Sequence, residues 1–222
     1  MKIAALIVAA GRGSRLNADI PKQYIPLNGP CALHRSINIF LSVSRVKAVA
    51  CVIHPADLSR YNEVVEQLAS PALHAPVIGG DTRGASVFAG LNALSAFSPD
   101  AVLIHDAARP FMPMVVINGV IDALKDTAGA CAALPVVDAL WADENGKAGH
   151  SVARDGLWRA QTPQGFHFNA ILAAYETSDG SAADDVAVAR AAGIEVSFVP
   201  GSEAGYKITT ADDLARALRD TA

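Results

Sequence analysis

The chain has 222 residues, 51% of them hydrophobic and 18% charged, with a formal net charge of -4. That length suits one large domain, or one domain with a small appendage, and the composition excludes a disordered chain. The absence of a basic excess argues against a nucleic-acid partner. No apolar run approaches the roughly 18 residues of a membrane span, so no membrane partner is expected.

The N-terminus, MKIAALIVAAGRG, has one Lys and a short apolar run, as a weak signal peptide does. The run ends in Gly11, Arg12 and Gly13, however, and reads better as a buried first strand over 3–9. A Gly-rich loop follows. Residues 31–43 place Leu33, Ile37, Phe40 and Leu41 at helical spacing, and 48–53 form a second apolar run. Residues 55–70 open with Pro and again have helical spacing, through Leu58, Tyr61, Val64, Val65 and Leu68. A short strand, a Gly-Gly turn and a helix span 77–94, and a third buried strand with a polar end spans 101–106. Residues 113–126 read as a helix and 129–137 as a small-residue strand.

Residues 138–162 break this pattern. Two turn signals, Asn145-Gly146 and Asp155-Gly156, suggest an extended hairpin arm carrying Leu140, Trp141, Leu157 and Trp158. A lone hairpin is marginal in water. It must pack on its own domain or be clasped by a partner subunit, and spacing does not choose between them. Beyond it, 168–176 and 184–192 read as helices, 194–199 and 207–209 as strands, and 211–220 as a closing helix. Alternating strands and helices define an α/β domain with a mostly parallel sheet and helices on both faces. Ligands bind such sheets beyond the carboxyl ends of the strands. Cys31, Cys51 and Cys131 are far apart and form no metal spacing, which fits reduced, buried thiols in a cytoplasmic protein.

Three loops follow predicted strands and should share one edge. The first, AAGRGSR at 9–15, has small residues that let backbone N–H groups approach an anion. It is not a dinucleotide fingerprint, because Leu16 stands at the sixth position and the second strand runs into His54 and Pro55 instead of an acid. It is not a P-loop either, having no GK[ST]. What remains is a loop with two cations, Arg15 and Lys22. They are either solvated surface charges or counter-charges for a triphosphate. The second loop, GGDTRGASV at 79–87, offers backbone groups that can read a base edge, with Ser86 nearby. Asp81 is expected to cap the helix that follows, and Arg83 to serve as a pairing partner. In the third, IHDAARP at 104–110, Asp106 can hold Mg²⁺ or pair with Arg109. His105 reads as a satisfied core residue. Thr210 and Asp213 have the spacing of a helix start, just after Lys207.

Together these motifs resemble one family. The chain is similar to 2-C-methyl-D-erythritol 4-phosphate cytidylyltransferases through AAGRGSR, PKQY (21–24), GGDTR (79–83), HDAARP (105–110), RDGLWRAQTPQGF (154–166), the pair Asp184-Asp185 and KIT (207–209). The resemblance implies a Rossmann-like nucleotidyltransferase fold, a single domain over 1–222, and a homodimer with 138–158 as its arm. It implies CMP transfer from CTP to methylerythritol phosphate in isoprenoid biosynthesis, aided by Mg²⁺ or another divalent cation. Ala9, Ala10, Gly11 and Gly13 then match the triphosphate loop. Gly80, Asp81 and Ser86 match the cytidine site, with Ala107 near the ribose. Arg15 and Lys22 match residues that stabilise the transition state. Arg154 and Lys207 match residues that position the acceptor, with Arg154 serving the partner's site. Asp106 matches a residue at the substrate and metal.

Three positions depart from the family pattern. Ala139 stands where a Thr is usual, Gly205 where an Asn is usual, and Ala183 where a Thr is usual. They bear on acceptor recognition more than on nucleotide binding. A pentitol-phosphate cytidylyltransferase and a catalytically silent CTP-binding protein are the alternatives. Some family members are fused to a downstream cyclodiphosphate synthase, for which these 222 residues leave no room, so the chain is either free-standing or a domain cut from such a fusion.

Overall fold

In the computed structural model, residues 1–12 and 20–222 are described. The central sheet is built, in chain order, from β1 (Ile3–Ala9), β2 (Val46–Ile53), β3 (Val77–Ile78), β4 (Ala101–Asp106), β5 (Gly129–Pro135), β8 (Trp158–His167) and β9 (Val196–Pro200). Its order is β3-β2-β1-β4-β8-β5-β9. Strand β8 runs antiparallel to both β4 and β5, and the other pairings are parallel.

The pleat of β1 shows why an unbroken apolar run is needed. Successive side chains point to opposite faces. Ile3, Ala5 and Ile7 pack toward helices α1 (Ala32–Ser42) and α4 (Met114–Ala123), with Leu33, Ile37, Phe40, Val116 and Val120. Ala4 and Leu6 pack toward α3 (Arg83–Ser95), α5 (Phe168–Glu176) and α6 (Asp185–Ala191), with Val87, Leu91, Ile171 and Val188. Both faces of the sheet are covered, so neither can be polar. A smaller cluster seats α7 (Ala211–Asp220) through Leu27, Ala32, Ile208 and Ala217. The Thr210–Asp213 pair forms the expected reciprocal cap of that helix.

The largest departure from expectation is β8. Residues 158–162 belong to a central sheet strand and not to the arm. Pro163 cannot donate to a ladder and argues against a central strand. Yet the pairing of β8 with β5 shifts register between Cys131 and Ala133, opposite this stretch. Buried Gln161, Thr162 and Gln164 add to the disguise, since polar residues suggest a loop. The arm itself is β6 (Leu140–Glu144) and β7 (Lys147–Val152), an antiparallel pair outside the main sheet. Its Asn145-Gly146 turn has φ of 55° and 80°, as a tight hairpin turn requires. The Asp155-Gly156 turn leads from the arm into β8.

Smaller corrections concern the helix expected over 55–70 and the strand expected over 207–209. The first begins as a 3-10 turn, Pro55–Asp57, and continues as α2 (Leu58–Val65). The second is irregular backbone, held by Ile208 N–H to the Ala108 carbonyl at 2.9 Å and Thr209 N–H to the Asp213 carboxylate at 2.9 Å. All three cysteines are free and buried, as expected.

Candidate active site

The carboxyl ends of β1, β2, β3 and β4 open into a cavity of about 500 Å³. The loop after β1 contributes Ala9, Ala10, Gly11 and Arg12; that after β3 contributes Gly79, Gly80, Asp81 and Thr82; the end of β4 contributes Asp106, Ala107 and Ala108. Lys22, Gln23, Arg83, Ser86, Lys207 and Thr209 complete most of the wall. The structure therefore brings together Ala9, Ala10, Gly11, Lys22, Gly80, Asp81, Ser86, Asp106, Ala107 and Lys207. Gly13 and Arg15 lie outside the described residues. Arg154 does not reach this cavity within one chain; it donates to the Val137 carbonyl at the base of the arm.

Gln23 ties down the first loop. This buried side chain donates to the Ala9 carbonyl at 2.7 Å and the Gly11 carbonyl at 3.1 Å. Two carbonyls are thus satisfied from behind, which holds the backbone of 9–11 in place. The PKQY motif contains this residue, but nothing in its spacing marks it as the clamp of the first loop.

The second loop is held by close packing. A Cβ on Gly79 would lie 2.6 Å from Ser86 Oγ and 2.7 Å from Ala10 Cβ, so only glycine lets this turn lie against the first loop. Ser86 donates its hydroxyl to the Gly80 carbonyl at 3.2 Å. Thr82, and not Asp81, caps α3, accepting from Ala85 N–H at 3.0 Å. Asp81 is exposed and lines the cavity instead. Both residue types cap well; the turn after β3 decides which one reaches the helix N-terminus.

Asp106 sits at the centre of a charge cluster. Lys207 Nζ is 2.7 Å from its carboxylate, Arg83 Nε 3.5 Å and Arg109 Nε 3.8 Å. Burial alone would raise the Asp106 carboxyl, but Lys207 and Arg83 together hold it well below the usual carboxylate range. Arg83 is braced by a second acid. It donates to both oxygens of fully buried Asp185, at 2.8 and 2.7 Å, and Tyr175 donates to the same carboxylate at 2.5 Å. The Asp184-Asp185 pair thus divides its work, since Asp184 caps α6 by accepting from Ala187 N–H.

Beneath Asp106, Thr162 joins three groups. Its hydroxyl accepts from Asp106 N–H at 3.1 Å and lies 3.0 Å from His105 Nδ1. His105 Nε2 lies 3.1 Å from the Arg109 carbonyl, an acceptor, so Nε2 carries the proton and Nδ1 accepts from Thr162. Burial pushes the His105 pKa down to about 4. The ring is a neutral core residue, as its position on the strand suggested. Gln161 holds the final loop, donating to the Ser202 carbonyl at 2.8 Å and accepting from Ser202 N–H at 3.0 Å. Neither Thr162 nor Gln161 is legible as functional from the sequence, because the polar stretch that carries both lacks the pattern of a central strand.

Gly205 has a local explanation. A side chain there would run into the Sδ and Cε of buried Met112. The Gly205 carbonyl accepts from Arg109 at 2.8 Å.

The chain matches the family described as 2-C-methyl-D-erythritol 4-phosphate cytidylyltransferase over residues 3–219. It is 47% identical over 217 residues to the protein of that name from Roseobacter denitrificans, covering 98% of this chain and 96% of that protein. It is 48% identical over 219 residues to the bifunctional enzyme IspD/IspF of Rhodospirillum rubrum, covering 98% of this chain but only 56% of that enzyme. Among solved structures, the cytidylyltransferase of the same name from Thermus thermophilus superposes with a TM-score of 0.81 at 29% identity, covering 100% of this chain and 99% of that one. The 4-diphosphocytidyl-2C-methyl-D-erythritol synthase of Anaerococcus prevotii superposes with a TM-score of 0.85 at 27% identity, covering 99% and 95%.

Proposed function

The chain belongs to the 2-C-methyl-D-erythritol 4-phosphate cytidylyltransferase family, and on that premise we propose that it transfers CMP from CTP to 2-C-methyl-D-erythritol 4-phosphate. The products are 4-diphosphocytidyl-2-C-methyl-D-erythritol and pyrophosphate, in the non-mevalonate isoprenoid pathway. One observation carries most weight. Among the described residues, Arg12, Lys22, Arg83 and Lys207 line the cavity against only two carboxylates, Asp81 and Asp106. In a chain of net charge -4, that local cation excess is what two phosphate-bearing substrates require.

The acceptor phosphate oxygen attacks the α-phosphorus of CTP, the bond to the bridging oxygen breaks, and pyrophosphate leaves with the electron pair. A phosphate monoester has a second pKa of about 6, so the nucleophile is already largely dianionic and needs no general base. This agrees with His105 being buried and neutral. The protein's task is to hold two polyanions together in line. Ala9–Gly11 and Gly13 receive the triphosphate, while Gly80, Asp81 and Ser86 receive the base and Ala107 the ribose. Arg15 and Lys22 stabilise charge in the transition state. Lys207 and Arg154 position the acceptor, with Arg154 reaching into a partner's site.

Among the described residues no three His, Cys, Asp or Glu side chains cluster as a ready metal cage. Asp106 offers one hard carboxylate on the cavity wall, which fits an Mg²⁺ held jointly with substrate phosphates but not a metal resident in the free protein. When bound, the ion would offset phosphate charge. The exposed Trp141, Val152 and Leu157 of an arm outside the main sheet support a homodimer through 138–158. Three buried free thiols support a cytoplasmic location. No helix among the described residues is long and apolar enough to cross a membrane.

The test is pyrophosphate release with Mg²⁺ and CTP, comparing methylerythritol 4-phosphate with ribitol 5-phosphate. Turnover with the first alone is expected. Turnover with the second alone would make Ala139 and Gly205 markers of a pentitol enzyme, and CTP binding without release would indicate a silent binder. Lys22→Ala should lose on the order of 10²–10³ in rate while folding normally. Near-normal turnover in that variant would remove Lys22 from the transition state.

A further inference from the structure

We infer that Asp57 is a positioning residue for the nucleotide, holding the Arg12 guanidinium at the cavity as a ligand for the triphosphate. This rests on the reading above, in which the loop after β1 receives CTP. Asp57 closes the 3-10 turn after β2, and its side chain is fully buried. A buried carboxylate needs compensating charge. Two guanidiniums share its Oδ1, Arg12 at 3.4 Å and Arg60 at 3.2 Å, while its Oδ2 has no hydrogen-bond partner among the described residues.

The two arginines differ in where they lead. Arg60 stands on α2, three residues from Asp57, and does not line the cavity. Arg12 follows Gly11, whose carbonyl Gln23 holds, and lines the cavity with 56% of its side chain exposed. One end of the Arg12 side chain is therefore fixed by a pinned backbone, and the other by a buried acid. A guanidinium has five N–H donors in a rigid fork, so one group can hold a carboxylate and a phosphate together. Two guanidiniums and one carboxylate carry a net positive charge, which an incoming triphosphate meets.

Removing the Asp57 charge has opposed effects on a polyanion. It takes away a repulsion that two arginines already neutralise, which is small. It also frees Arg12 and leaves it beside Arg60 with no acid between them. The loss of preorganisation outweighs the relieved repulsion, so binding weakens.

The experiment is steady-state kinetics and calorimetric CTP titration on the full chain. Arg12→Met should raise KM for CTP about tenfold, the effect of losing one charge-assisted hydrogen bond. Its kcat and its KM for the acceptor should stay within about twofold. Asp57→Asn should raise KM for CTP by a similar factor in the wild-type background and add nothing in the Arg12→Met background. Arg60→Met should leave KM for CTP within about twofold. An unchanged KM for CTP in Arg12→Met overturns the assignment. An equal effect of Asp57→Asn in both backgrounds, or a lowered KM, overturns the positioning role. If Asp57→Asn does not fold, Arg12→Met and Arg60→Met still decide the phosphate role by their contrast. A wild-type chain that binds CTP without turnover lets the titration read Arg12 alone; one that binds no CTP refutes the underlying reading as well.

Discussion

Asp185→Asn tests whether the active-site charge cluster is braced from behind. The carboxylate is fully buried, holds Arg83 through two bonds of 2.8 and 2.7 Å, and accepts from Tyr175 at 2.5 Å. Breaking a buried ion pair from one side costs about 3–5 kcal/mol, because the partner charge is left uncompensated. Two features lower the figure here. The Arg83 side chain keeps 29% of its exposure, and Asp106 lies 3.5 Å away as a second acid. The amide oxygen of Asn can still accept from Tyr175. The expected loss is about 2–3 kcal/mol, or roughly 5–10 °C in Tm for a domain of this size. Urea unfolding with an unchanged m-value is the assay. The double variant Arg83→Met/Asp185→Leu should recover part of the loss, since apolar side chains of similar volume need no counter-charge. A loss below about 1 kcal/mol, or a double variant worse than the sum of its singles, would refute the brace.

Two further outcomes follow from buried contacts. Gly90→Ala adds helix propensity worth about 1 kcal/mol, yet its Cβ would stand 2.7 Å from Val52 Cγ2 and 2.9 Å from Leu6 Cδ2. Overpacking of about 1–3 kcal/mol should win, so α3 is pushed off the sheet and unfolding shows a net loss; a stabilised variant would show the interface to be soft. Stability should also fall by about 3 kcal/mol as pH drops from about 6.5 to 4, because His105 is protonated in the unfolded chain before it is in the folded one, whose ring pKa is about 4. The stabilisation is complete above the unfolded value and lost as pH falls through the folded one. Ring ¹⁵N shifts should report the Nε2–H tautomer down to pH 5, and titration near 6.5 would contradict the Thr162 network.

Much of the fold was legible because its signals are local. A seven-residue apolar run without alternation that ends in a Gly-rich loop, as in Ile3–Ala9, is too short for a buried helix and reads as a strand covered on both faces. The Asn145-Gly146 turn demands positive φ, and the Thr210–Asp213 spacing demands a reciprocal cap; both occur. Clustering of loops at the carboxyl ends of parallel strands follows from topology, so Gly80, Asp106 and Ala107 were expected on one cavity and lie there.

What the chain alone could not show depends on groups distant in sequence. Strand β8 carries Pro163 and buried glutamines, and its identity comes from β4 and β5 on either side, which take up polar backbone that local pattern assigns to a loop. The choice of Thr82 over Asp81 as cap was decided by where the turn after β3 delivers each side chain. Arg83 and Asp185 are 102 residues apart, and Arg12 and Asp57 are 45 apart. Periodicity marks which residues must be buried, because that requirement acts on each residue singly. Pairing of charges depends on distance in space, and only the folded chain sets that distance.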